Sequence, residues 1–152
     1  MTIDIGIACQ AKAWANHLAE TDTFAHATND QRADPPTGEN LSMYYPAYHG
    51  PTAGEEMWYA EEADYDYSTG LHKPGLGCTS NFDPNCPQLG HFTQLVWDQS
   101  TKLGCGATEV PGQGGKTYLV CRYNTPGNYM GAFKEHVHCP KSGAAYGEGF
   151  GC

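Results

Sequence analysis

The residue types able to do chemistry here are seven histidines, seven cysteines and an excess of carboxylates, 17 Asp and Glu against 8 Lys and Arg. One histidine stands in a readable setting. Gly90-His91-Phe92-Thr93-Gln94-Leu95-Val96-Trp97 reads as a helix, because Phe92, Leu95 and Val96 recur at spacings of three and four on one apolar face. Pro87 and Gly90 favour a turn or a helix start just before it. His91 therefore sits at the mouth of the helix, where it can face a pocket and still reach solvent. A neutral imidazole so placed can ligate a divalent cation. A capping or packing histidine is the plainer alternative from the same residues.

Several other chemistries lack their motifs. There is no Gly-x-Ser-x-Gly elbow, no His-Glu-x-x-His pair and no Gly-x-x-x-x-Gly-Lys loop. Cys9, Cys78, Cys86, Cys105, Cys121, Cys139 and Cys152 fit neither a zinc ribbon nor a CxxC redox pair. In a small domain rich in Gly and Pro they point to disulfides and a secreted life, and the odd count leaves at least one thiol unpaired or paired to another chain. Cys78 and Cys86 lie eight apart within one loop, a good distance for a local staple.

The elements that must carry these groups follow from periodicity. Cys9 to Glu20 reads as a helix with Ala11, Trp14, Ala15, Leu18 and Ala19 at helical spacing. A second helix is expected over Glu55 to Tyr67, with the loop before it running from Tyr44 to Gly54. Ser68 to Leu89 reads as a long loop with Phe82 as its aromatic, a length uncommon unless functional or cross-linked. Lys102 to Glu109 and Thr117 to Tyr123 read as strands joined across Pro111-Gly112-Gln113-Gly114-Gly115. That unit brings Cys105 near Cys121. Trp97 is expected in the core, and the Asn128 amide is expected to bond backbone and hold the turn at Pro126-Gly127-Asn128. His17, His49, His72, His136 and His138 have no partner motif and are expected at the surface.

Composition bounds the remainder. At 152 residues, with 39% hydrophobic and only 16% charged residues, the chain supports one folded domain and is too apolar for disorder. The formal net charge of −9 argues against nonspecific binding to nucleic acid or anionic membrane. No apolar run reaches the roughly 20 residues of a membrane span. Met1-Thr2-Ile3-Asp4 lacks a basic start and an apolar core, so a secretion signal is expected to have been removed upstream.

Four short stretches carry a family resemblance. Gly90 to Trp97, continued by Asp98-Gln99-Ser100, resembles the first signature of the CAP superfamily (cysteine-rich secretory proteins, antigen 5, pathogenesis-related 1 proteins). Tyr118 to Tyr129 resembles the second, although Thr125 stands where the family usually has Pro, which is expected to loosen the turn. Gly38-Glu39-Asn40-Leu41 and Trp58-Tyr59-Ala60-Glu61 are similar to two further motifs. The resemblance covers roughly Trp14 to Gly131. The helix that usually precedes this region, with its His-Asn-x-x-Arg motif, is expected to be missing, which would leave an apolar face uncovered.

The resemblance implies an α+β fold, a three-layer α-β-α sandwich on a small, mostly antiparallel sheet. Residues 1–132 would form the CAP domain, and 133–152 a tail containing Gly and Cys, packed on it or extending from it. It implies a central cleft in which His26 and His91 are metal ligands, with Glu39 and Glu61 behind them. Glu62 competes with Glu61 for the motif position, and His26 rests on its place between the first helix and Gly38. Two imidazoles completed by water would hold a divalent cation such as Zn²⁺ weakly, in an open site. The alternative is two buried Glu–His struts without a metal. A Cys105–Cys121 bridge matches one in related cysteine-rich secretory proteins. Cys78–Cys86 and Cys139–Cys152 are expected beside it, with Cys9 free. The implied function is a secreted, more binding than enzymatic protein, whose partner is a sterol, another lipid or a protein receptor. A metal-dependent hydrolase and an acidic extracellular matrix or venom component are the alternatives.

Overall fold

The structure is a computed structural model that describes residues 1–32, 36–46 and 50–140. Helix α1 runs over Ile5–Thr21, four residues longer at its start than its apolar pattern predicts. The reason is Asp4, whose carboxylate accepts the Ile7 N–H at 3.1 Å and so caps the first turn. Just before it, Thr2–Ile3 forms a short strand, β1, that lies parallel to β5, Lys102–Glu109. β5 returns antiparallel as β6, Thr117–Asn124, and β6 pairs with β2, Gly38–Tyr44. The sheet order is β1-β5-β6-β2, so β2 is an outer strand. A second, two-stranded sheet joins β3, Tyr65–Asp66, to β4, Leu71–His72.

Strand β6 is buried along almost its whole length because both faces are covered. Tyr118 and Val120 meet Ala11, Ala15, Leu18 and Ala19 of α1. Leu119, Cys121 and Tyr123 point the other way, onto Trp58 and its neighbours. Glycines let α1 come close: a Cβ on Gly104 would sit 2.1 Å from the Ala8 nitrogen, and one on Gly106 would sit 2.4 Å from the Lys12 Cα. The third layer is α2, Pro51–Ala60, with α3, Gly90–Leu95. The expected α-β-α sandwich is the fold.

Two expected boundaries are corrected. Strand β2 extends to Tyr44 and α2 starts at Pro51, a residue suited to the first helical turn, so both elements reach into the span expected as loop. The second helix ends at Ala60; Glu61–Asp64 is a 3₁₀ turn and Tyr65 is already strand. Residues 133–140 hold a short helix, α4, Phe133–His136, whose Phe133 joins Val137, Trp97, Phe92 and Leu89 in one apolar cluster.

Candidate functional site: a histidine and glutamate cleft at the edge of the sheet

His26 lies in the segment between α1 and β2, and its neighbour Glu39 is the second residue of β2. The Glu39 carboxylate is fully engaged. Oε1 takes His26 Nδ1 at 2.9 Å and the Ala27 N–H at 3.0 Å, and Oε2 accepts from Arg122 Nε at 3.1 Å. Arg122 is opposite Glu39 in the β2–β6 register, so strand pairing alone places the guanidinium there. Both side chains are buried. Burial would raise the Glu39 carboxyl, but the bonds from His26 and Ala27 and the charges of Arg122 and Arg32 outweigh it and hold it below the usual range.

The second pair is built on helix α3. Glu61, from the 3₁₀ turn after α2, receives His91 Nδ1 on Oε1 at 2.6 Å. Its Oε2 accepts the backbone N–H groups of His91 and Phe92, each at 3.0 Å. Those are N–H groups that a helix start leaves unpaired, so one carboxylate both caps α3 and fixes the ring. Trp58 stacks beside His91 with ring centroids 6.0 Å apart and donates its indole N–H to the Leu41 carbonyl. Asn40 of β2 donates to the His91 carbonyl at 3.0 Å and to Tyr123 Oη at 3.2 Å, fastening α3 to the sheet. Glu62 turns away: it is buried and accepts from the Tyr67 hydroxyl. Glu61 is thus the carboxylate that lines the cleft with His91.

His26 and His91 line the same cavity, about 370 Å³, together with Glu39, Asn40 and residues 81–88 of the long loop. A second hollow of about 410 Å³ shares His26, His91 and Gln88 and continues over Phe24, Leu41, Met43, Met57 and Trp58. Both hollows are lined by residues of outer strand β2. Each ring has Nδ1 on a carboxylate oxygen, which orients it and leaves Nε2 outside that bond. Imidazole nitrogen is a donor type that a divalent cation such as Zn²⁺ accepts.

Asn128 occupies left-handed backbone (φ 62°). Its Nδ2 donates to the Gly90 carbonyl at 2.7 Å, and its Oδ1 accepts from Thr93 Oγ1 at 2.7 Å. One partner is backbone, as expected, and both belong to α3, so the amide ties the turn to that helix. At Thr125 the hydroxyl donates to the Gln99 carbonyl and the carbonyl accepts from Ser100. Trp97 is 1% exposed. Cys78–Cys86 and Cys105–Cys121 are disulfides, the latter between directly opposed residues of β5 and β6. Cys139 is disulfide-bonded, whereas its expected partner Cys152, like His49, lies outside the described residues. Cys9 is free and exposed.

Sequence reasoning missed Arg122, Asn40 and Gln94. Gln94 spans from Ser100 to the Gly127 N–H. Only the strand register would have revealed the Arg122 pairing. One histidine needs correction. His72 is buried, with Nε2 on the Pro87 carbonyl at 2.7 Å. His136 and His138 share Asp98, at 2.8 and 2.9 Å.

With this geometry in place, the model of the cysteine-rich secretory protein family matches residues 1–123. The chain belongs to the CAP family. This CAP domain is 35% identical over 130 residues to tomato (Solanum lycopersicum) pathogenesis-related protein 1A1, covering 86% of this chain and 63% of that one. It is 34% identical over 124 residues to venom allergen 5 of Polybia scutellaris rioplatensis, covering 80% and 54%. Among solved structures, NaASP2 with Zn²⁺ superposes with a TM-score of 0.59 at 28% identity, over 86% of this chain and 62% of that one. The CAP domain thus spans less than two thirds of these relatives.

Proposed function

We propose that this CAP domain is a secreted binding protein whose His26–His91 cleft takes a divalent cation, Zn²⁺ among them, weakly and reversibly. The observation that carries the reading is the matched pair of carboxylate-oriented imidazoles lining one cavity. The solved relative with Zn²⁺ supports the ion, and the disulfides support an oxidising compartment. Two protein ligands make an open site, with affinity below that of a closed structural zinc site. The apolar hollow next to the histidines, floored by Leu41 and Trp58 and flanked by Phe24, Met43 and Met57, supports a sterol, another lipid or an apolar protein segment as the partner. A hydrolase would need a carboxylate free to accept a proton from water. Glu39 already accepts three hydrogen bonds and Glu61 three, which favours an orienting role for both.

Calorimetry with Zn²⁺ on the oxidised protein at neutral pH tests this reading. The wild type gives a saturable binding heat, and His26→Ala/His91→Ala loses it while staying folded. Equal heats for the two proteins contradict the cleft as the site.

A further inference from the structure

We infer that His72, Cys78 and Cys86 form a second, redox-gated metal site, closed to cations while Cys78–Cys86 is a disulfide and able to bind Zn²⁺ once that bond is reduced. A His72 ring nitrogen and the two Sγ atoms lie within 4.8 Å of one another. Four ligands around a zinc ion with bonds of about 2.0–2.3 Å stand about 3.5–3.8 Å apart, so a small adjustment suffices. The histidine is prepared for the role. His72 is 6% exposed, and its Nε2 faces the Pro87 carbonyl, which can only accept. Nε2 therefore carries the ring proton, and Nδ1 presents a lone pair. That Nδ1 is buried and has no hydrogen-bond partner among the described residues. A buried acceptor without a partner is costly in a folded protein, and a metal ion satisfies it.

The oxidation state decides occupancy because the thiolate is the ligand. In the oxidised chain both sulfurs are bonded to each other. Reduction by a thiol proceeds by exchange. Two reductant thiols become one disulfide, and their two electrons and two protons pass to Cys78 and Cys86. Zn²⁺ then displaces those two protons, forming two Zn–S bonds and one Zn–N bond, with water in the fourth position. Both cysteines are half-buried, not sealed, so a small reductant reaches them. Cys121 of the other disulfide is only 2% exposed. Cys86 also lines the histidine cleft, so a metal at this site would fasten a wall of that cavity.

The test uses Cys9→Ser protein, which removes the free thiol, reduced with a phosphine, desalted anaerobically and titrated with Co²⁺. The reduced protein develops one equivalent of thiolate-to-cobalt charge-transfer absorption in the near ultraviolet; the oxidised protein develops none. Imidazole-only binding at the His26–His91 cleft gives no such band, so failure there and failure here are distinguishable. Adding Cys78→Ser/Cys86→Ser abolishes the band, and His72→Gln weakens Co²⁺ binding by more than about 10-fold. Circular dichroism of each variant checks its fold. Absence of the band in the reduced protein, or its persistence without Cys78 and Cys86, overturns the inference.

Discussion

At the residue scale, the account turns on what each carboxylate of the cleft is doing. Glu39 is bound to a buried arginine, and Glu61 to two backbone N–H groups besides its histidine. Arg122→Met should destabilise the domain by about 3–5 kcal/mol, because it leaves Glu39 charged and buried without its partner. Urea unfolding measures this; a loss under about 1 kcal/mol would show that the pair is not the anchor of β2. Glu61→Ala should cost less stability but weaken Zn²⁺ binding by about 10- to 100-fold, since His91 loses the group that orients it. Asn128 separates two effects. Asn128→Ala removes two bonds to α3 and forces an alanine into left-handed backbone, at a cost of about 2–3 kcal/mol. Asn128→Gly removes the same bonds without the backbone conflict and should be better by about 1 kcal/mol. Equal melting temperatures for Asn128→Ala and wild type would dismiss the bridging role.

At the scale of elements, the sequence made α1, α3 and the β5–β6 hairpin readable because their apolar residues repeat at helical or strand spacing over one packed face. The disulfide Cys105–Cys121 follows from that hairpin register. Replacing both cysteines with Ser should cost about 2–4 kcal/mol, seen as a lower urea midpoint. Helix α2 starts before its expected span for a physical reason. Gly54 looks like a breaker, yet here it lets the helix pack on the sheet: a Cβ there would stand 2.5 Å from Leu119 Cδ2. Its far end was over-extended because Glu61 must leave the helix to reach α3. Partners far apart in sequence were the hidden part. His72 bonds a backbone carbonyl 15 residues on, and Arg122 meets Glu39 across 83 residues, and neither relation leaves a local pattern. His26 and His91 were legible as site residues through motif resemblance, whereas periodicity alone gave only the helix under His91.

At the scale of the whole molecule, the −9 charge and several stabilised carboxylates set the acid response. Asp22, at the left-handed end of α1, accepts from Lys116, Gln113 and Tyr118 of the hairpin, which pull its carboxyl from 3.8 down to about 2. Its folded value lies below its unfolded one, so the folded state binds fewer protons between about pH 4 and about pH 2. The stability it contributes is present above that window and is lost as pH falls through it. Glu39, also lowered, acts with the same sign. The melting temperature should therefore drop across that interval, and Asp22→Asn should flatten part of the slope; an unchanged slope would remove Asp22 from the acid response. The function proposed above rests on a cleft that joins a polar histidine face to an apolar hollow. The most direct measurement is anomalous diffraction at the zinc edge from a crystal of the oxidised protein soaked in Zn²⁺. The account predicts a peak bridging His26 Nε2 and His91 Nε2, absent from His26→Ala/His91→Ala. A soaked crystal with no peak between those two rings would contradict it.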